Sequence, residues 1–231
     1  MNDSLRTLTD FPLTEPYTAL GFSNAGGGGG ETTTPAVLAV SGPNAVVDWI
    51  RLELRSTTSP YTLLAATHAL LQRDGDVVDA IDGVSPVALH LAPDPYMVAV
   101  RHRNHFGCMT ASPVNLGLTP ITLDFRSALT ATWGTAARKS VGAFQVLWAG
   151  NTVYDSPIFN LLKYTNLDND RSAILSAIGG VLPTQTLHAY TLADVNLDGW
   201  VKYTGTGNDR VYILQNIGGV VPTNTRAEQL P

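Results

Sequence analysis

Asp194, Asn196 and Asp198 stand at alternate positions in the stretch DVNLDGWVKYTGTGNDR, and Gly199 follows the third of them. Side-chain oxygens at every second position of a turn converge on one point, and the glycine lets the chain reverse sharply. Trp200 comes next and offers its backbone carbonyl. Asp209, fifteen residues after Asp194, stands at the start of an expected helix, where its carboxylate closes the ring. Hard oxygen donors in this arrangement suit calcium, which takes about six to eight of them. The alternative is a bare Asx-turn and helix cap without a metal.

The same stretch belongs to a duplication. LKYTNLDNDRSAILSAIGGVLPTQT (162–186) lies without a gap over VKYTGTGNDRVYILQNIGGVVPTNT (201–225), with a constant offset of 39. An ungapped match of this length marks a true internal repeat. Each unit reads as loop, short helix, Gly-Gly and Pro, with Asp170 and Asp209 expected at the helix N-caps. Ile174, Leu175 and Ile178 form one apolar helix face, and Ile213, Leu214 and Ile217 form the other. A helix of two turns cannot stand alone, so the two are expected to stack and share a core. In the first unit the offset matches Asp155 to Asp194, Pro157 to Asn196, Phe159 to Asp198 and Asn160 to Gly199. Only Asp155, Asp168 and Asp170 then remain as acidic donors, a degenerate and weaker site.

Ahead of the repeat the period changes to two. VVDWIRLELR sets Ile50, Leu52 and Leu54 against Arg51, Glu53 and Arg55; PVALHL, YMVAVRHR and PITLDF alternate likewise. Short alternating segments separated by Pro, Gly and Asp predict an antiparallel β-sandwich. Asp-Gly turns are expected within 73–76 and 81–86, which accounts for Asp74, Asp76, Asp79 and Asp82 without a second acidic site. The chain thus divides into a Gly/Thr/Pro-rich arm (1–36), a β-sandwich (37–130), a connecting segment (131–148) and the duplicated module (149–231). The run of five glycines in the arm lacks the Lys-Ser/Thr of a phosphate loop and reads as a linker or a loop pressed against another backbone. The arm's Leu8, Phe11, Leu13, Tyr17, Leu20 and Phe22 are too apolar for a spacer.

Composition narrows the function classes. Of 231 residues 14% are charged, and the net charge of −5 argues against nucleic-acid binding. Asp outnumbers Glu fifteen to four, a bias toward turns and oxygen-lined loops. The single Cys108 excludes an intrachain disulfide and reads as buried. No apolar stretch is long enough to cross a membrane. Residues 1–20 lack the apolar core of a signal peptide, so the chain is expected to be either cytosolic or a fragment whose targeting signal lies upstream; the extracellular look of the rest of the chain favours the fragment. His102 and His105 lie three apart in a strand and are expected on opposite faces, in structural roles. Trp49, Trp133 and Trp148 read as core, and Trp200 as exposed. No compact catalytic motif stands out, and a non-enzymatic role is expected.

The strand order and the Tyr-x-Val-x-Val step of YMVAV resemble prealbumin-like sandwich modules of bacterial surface proteins. The paired loop–helix units, with an Asp-x-Asn-x-Asp-Gly start and Asp closure, resemble dockerin. KYTGTGN makes the loop four residues longer than in that family, which argues against cohesin-type recognition and leaves the metal chemistry intact. VVDWIRLELR, LLQRDGDVVD, VRHRNHFG, KYTGTGNDR and IGGVVPTNTR together resemble a C-terminal region of large Bacteroidetes surface proteins. The resemblance implies a mainly β fold with a small α part, and a calcium-binding attachment or display module outside the cell or on its surface. A protein partner or self-assembly is implied, and a glycan is a further candidate ligand. The alternatives are a subunit of an extracellular fibre or layer assembled through the arm, and a carbohydrate-binding domain.

Overall fold

The computed structural model describes residues 1–153 and 160–231. The protein is mainly β, and its named strands pair antiparallel. β1 (Val46–Arg55) is the centre of a six-stranded sheet, with β2 (Leu63–Gln72) and then β3 (Val77–Val78) on one side. β4 (Asp94–His102) lies on the other and pairs with both β5 (His105–Met109) and β6 (Val114–Leu116). The β2–β3 turn is the expected Asp74-Gly75 reversal, and Asp74, Asp79 and Asp82 each accept backbone N–H groups of their own turns.

One face of this sheet is apolar. Leu54, Ala65, Tyr96 and Val98 are buried under Leu89, Leu91, Val114, Leu116, Leu123 and Phe125, and Val100 and Cys108 under Ala137 and Leu147. The cover differs from a sandwich. PVALHL and PITLDF were expected to be strands, yet both run as extended chain with no ladder among the described residues. Pro86 and Pro93 bracket the first segment and Pro120 opens the second, and a proline has no N–H to give to a ladder. β7 (Lys139–Val141) and β8 (Phe144–Val146) form a separate hairpin. Trp133, expected in the core, is 38% exposed.

The other face carries the charged half of β1, and it too is buried. Arg51 and Arg55 donate to opposite oxygens of Glu53, each at 2.8 Å, and Arg101 of β4 lies 3.2 Å from the same carboxylate. Burial alone would raise the Glu53 pKa; the Arg101, Arg55 and Arg51 charges hold it down at about 2. The arm and the C-terminal tail close over this face. Leu5, Leu8, Phe11 and Tyr17 join Trp49 and Leu70 in one cluster, and α1 (Pro35–Leu38) adds Val37 and Leu38. Tyr17 donates its hydroxyl to the Trp49 carbonyl, and Trp49 Nε1 donates to the Pro12 carbonyl.

The glycine run is the loop pressed against a backbone. The Ala66 N–H donates to the Ala25 carbonyl, and a Cβ on Gly28 would meet the Ala66 oxygen at 1.7 Å.

The repeat folds as two interleaved units. β9 (Leu161–Lys163) of the first pairs with β12 (Thr225–Ala227) of the second, and β10 (Thr186–His188) of the first pairs with β11 (Trp200–Lys202) of the second. The equivalence extends to side chains. Thr165 donates to the Pro222 carbonyl and Thr204 to that of Pro183; Arg171 lies over Tyr164 and Arg210 over Tyr203. α2 (Asp170–Ala177) and α3 (Arg210–Asn216) bury Ile174 and Ile213 between them with Ile178 and Ile217. Phe106 of β5 enters the same cluster. The capping side chains are one residue earlier than expected: Asn169 accepts from Ser172 N and Asn208 from Val211 N, while Asp209, at the N-cap of α3, makes no side-chain cap bond. This frees the carboxylates of Asp170 and Asp209 to turn inward.

Replacing Gly28 by Ala forces the arm off β2 and is expected to cost about 1–3 kcal/mol, the usual range for overpacking. Gly117, whose Cβ would meet nothing within 4 Å, is the control. Thermal unfolding of the two variants checks this; equal midpoints would show that the arm does not depend on the close approach.

Candidate metal centre

The second loop is built from its own turns. Asp194 accepts from Asp198 N at 3.2 Å and from Gly199 N at 2.8 Å. Asn196 Oδ1 also accepts from Asp198 N, and Asp198 Oδ1 accepts from Trp200 N, each at 2.9 Å. Asp209 reaches back from the helix start. Its Oδ1 accepts from Val195 N at 2.7 Å and Asn196 N at 3.3 Å, and its Oδ2 from Lys202 N at 2.7 Å. One carboxylate thus ties both ends of the loop. The extra residues between Lys202 and Asp209 form a side excursion, closed by Asp209 N donating to the Lys202 carbonyl at 2.9 Å. The longer loop therefore leaves the ring itself at ordinary size.

Side-chain oxygens of Asp194, Asn196, Asp198 and Asp209, four of the five expected donors, accept N–H groups of one loop, and Trp200 follows it in the chain. Asp194 and Asp209 are wholly buried, Asn196 and Asp198 half-buried. Trp200 opens β11; the residue is 40% exposed and its ring stacks on His188 at 4.2 Å. Among the described residues neither buried carboxylate forms an ion pair. Lys202 lies instead 3.7 Å from Asp198. Burial, with the nearby Asp198 charge, pushes Asp194 up to about 6, even though loop N–H groups and Arg103 oppose the shift. Burial, with the Asp194 charge, pushes Asp209 up to about 7 against its own N–H donors. Two buried carboxylates whose pKa values burial and neighbouring aspartate charges raise are short of positive charge, and a divalent cation would supply it. The donor set fits hard, oxygen-seeking metals.

The first unit corrects the sequence alignment. Asp170 does what Asp209 does: Oδ1 accepts from Thr152 N at 2.8 Å and Val153 N at 3.1 Å, and Oδ2 from Lys163 N at 2.8 Å. Thr152 and Val153 therefore occupy the places of Val195 and Asn196, and Asn151 takes that of Asp194. Thr152 to Lys163 spans eleven positions and Val195 to Lys202 seven, so the offset of 39 ends before the loop's start. The pairing of Asp155 with Asp194 does not hold; Asp155, Pro157 and Phe159 lie outside the described residues. Asp168 does not join Asp170. It is exposed at φ 52°, the counterpart of Gly207 at φ 67°, and serves a left-handed turn.

Another acidic group escaped the sequence reading. Glu15, Glu31 and His68 have ligand atoms within 4.8 Å of one another. Here the charges are satisfied. Glu15 accepts from Tyr17 N, Thr18 N, Gly30 N and the Thr18 hydroxyl. Glu31 accepts from Gly29 N, His68 N, the Thr67 hydroxyl and His68 Nδ1. Four donors fill the roughly four acceptor sites of each carboxylate, and Arg51 donates to His68 Nε2 at 3.1 Å. This cluster locks the glycine loop onto β2.

His102 and His105 meet, contrary to the opposite-face expectation. A register irregularity after Val100 and the tight Arg103-Asn104 hairpin tip set their Nδ1 atoms 3.1 Å apart. His102 Nε2 bonds Asp48, which also accepts from Arg103 Nε at 2.9 Å and the Tyr190 hydroxyl at 2.6 Å. Asp48 is held far below the carboxylate range despite burial, because Arg103 and His102 face it. The group joins sheet to repeat.

The chain matches no family model, no curated protein and no solved structure.

The raised pKa values set a pH dependence for the chelated protein. Between pH about 4 and 7 the folded Asp194 and Asp209 hold protons that the unfolded chain has released, so stability falls as pH rises through that window. Glu53, depressed to about 2, and His105, held low by burial beside His102, oppose this trend around their unfolded pKa values, the first mainly below pH about 5.5, so the two raised aspartates dominate between pH about 8 and 5.5. Lowering the pH from 8 to 5.5 in chelator is expected to raise the unfolding midpoint, and Asp209→Asn to flatten the response. Calorimetric scans at the two pH values check both; a midpoint that falls on acidification would contradict the unbalanced burial.

Proposed function

We propose that this chain is a non-catalytic, calcium-stabilised attachment or display module of a bacterial extracellular or cell-surface protein. The reading is carried by Asp194 and Asp209, two buried carboxylates at opposite ends of one loop that have N–H donors but, among the described residues, no ion pair. Asn196, Asp198 and the Trp200 carbonyl complete the donor set. Calcium is favoured over magnesium because the ring mixes carboxylate, amide and carbonyl oxygens on a turn, not a rigid octahedron. When bound, the ion neutralises the loop and stabilises the folded state by mass action.

The paired units support a dockerin-like reading of the module: each begins in a loop closed by a buried Asp and ends in a strand lent to its twin. The sheet with its extended-chain cover stands in for the sandwich. The arm lies on its own sheet, with Leu5, Leu8, Phe11 and Tyr17 buried there. That favours attachment or display over a fibre assembled by donating the arm.

Calorimetric titration with calcium tests the proposal. Wild-type protein is expected to bind with measurable heat, to a dissociation constant of about 1 mM or tighter, the range of extracellular modules. Asp198→Ala, which leaves the loop's structural carboxylates in place, is expected to lose affinity by at least about tenfold. Equal heats from the two proteins, or none from the wild type, reject a calcium loop.

A further inference from the structure

The loop's first ligand is held from the sheet. Asn104, at the tip of the β4–β5 hairpin, is wholly buried. Its Nδ2 donates to the Leu192 carbonyl at 2.9 Å and to the Asp194 carbonyl at 2.6 Å. Both amide protons are thus committed, and Oδ1 accepts from His105 Nδ1 at 2.8 Å. That contact fixes which way the amide faces and which His105 nitrogen carries the proton. Beside it, Arg103 Nη1 donates to the Thr191 carbonyl while its Nε is anchored on Asp48. The backbone carbonyl of Asn104 completes the pattern. It accepts from Gly150 N and Asn151 N, each at 3.0 Å. Asn151 is the first unit's counterpart of Asp194, so one residue grips the start of both loops.

Resting on the calcium reading above, we infer that Asn104 is a positioning residue for the ion: it sets the Asp194 carboxylate in the ring and couples ion binding to the sheet. Asp194 is the first donor of the loop, and its carbonyl is the atom on which its backbone is aimed. Without Asn104 the carbonyl is left buried and unsatisfied, and the chain at 192–194 must shift to find a donor. Groups that orient metal ligands from behind change affinity by about 10- to 100-fold when removed. The coupling is reciprocal: whatever the hairpin tip contributes to ion binding, the ion returns to the tip.

The test uses the full chain with terbium as the calcium probe, excited through Trp200 beside the loop, and calcium competition to confirm the site. Asn104→Leu keeps the volume and removes both donors; circular dichroism reports folding. Glu228→Gln is the control. It disturbs the same seam, where Glu228 accepts from Gly107 N and Asn160 and pairs with Arg101, but it touches nothing in the second loop. Asn104→Leu is expected to weaken terbium and calcium binding about 10- to 100-fold, and Glu228→Gln to leave them within about threefold. Unchanged affinity in Asn104→Leu, or an equal loss in both variants, overturns the assignment. Hydrogen exchange on the wild type needs no variant. Calcium is expected to slow exchange at Gly150 and Asn151, whose N–H groups bond Asn104 and not the second loop; calcium bound without that protection also overturns it. A wild type that binds neither ion fails the calcium reading itself, and the inference with it.

Discussion

A carboxylate taken out of water has to be given donors and, unless it is protonated, positive charge. That constraint organises this molecule. Only 14% of its residues are charged, yet Glu15, Asp48, Glu53, Asp170, Asp194, Asp209 and Glu228 are all buried. Glu53 is answered by three arginines, Asp48 by Arg103 and His102, and Glu15 and Glu31 by full sets of N–H and hydroxyl donors. Asp194 and Asp209 have loop N–H donors but form no ion pair among the described residues, and burial leaves their pKa values raised where those of Glu53 and Asp48 are depressed.

The satisfied groups explain why the arm and the tail stay on the sheet. A strand with Arg51, Glu53 and Arg55 on one face would ordinarily show that face to water. Here the three pair along the strand, and Arg101 and Glu228 extend the network to β4 and to the tail. A network paired to this degree can be covered by apolar chain. The glycines of the arm then allow its backbone to lie against β2, where a side chain at Gly28 has no room.

The two units of the module are symmetric in their scaffold and unequal in their chemistry. Interleaved strands, threonine–carbonyl bonds and arginine–tyrosine contacts repeat between them. At the loop start the first unit offers the amide Asn151 where the second offers Asp194. An amide is a neutral oxygen donor, so the first position contributes one negative charge fewer. The scaffold tolerates this because what closes each loop is the inward carboxylate, Asp170 or Asp209, acting on backbone N–H groups.

The sequence by itself determined what depends on local pattern. Alternation in VVDWIRLELR and YMVAVRHR specified the central strands, because side chains alternate faces on any strand. The ungapped repeat specified the helices and their Ile faces, and Asp-x-Asn-x-Asp-Gly specified the second loop, because Asp194, Asn196 and Asp198 lie on one turn of chain and Asp209 returns to it from the repeat's own helix. Tertiary structure decided whatever depends on distant atoms. PVALHL and PITLDF alternate as strands do, but among the described residues no neighbour offers a ladder to these proline-led segments. Asp155 stood at the right offset, yet the contacts of Asp170 show the register slipping by four before the loop begins. Asp170 and Asp209 stood at plausible caps, but the preceding asparagines reach the helix N–H groups first. Asn104 carries no motif at all. Its place against Asp194, ninety residues on, exists only because the hairpin tip and the loop start are packed face to face.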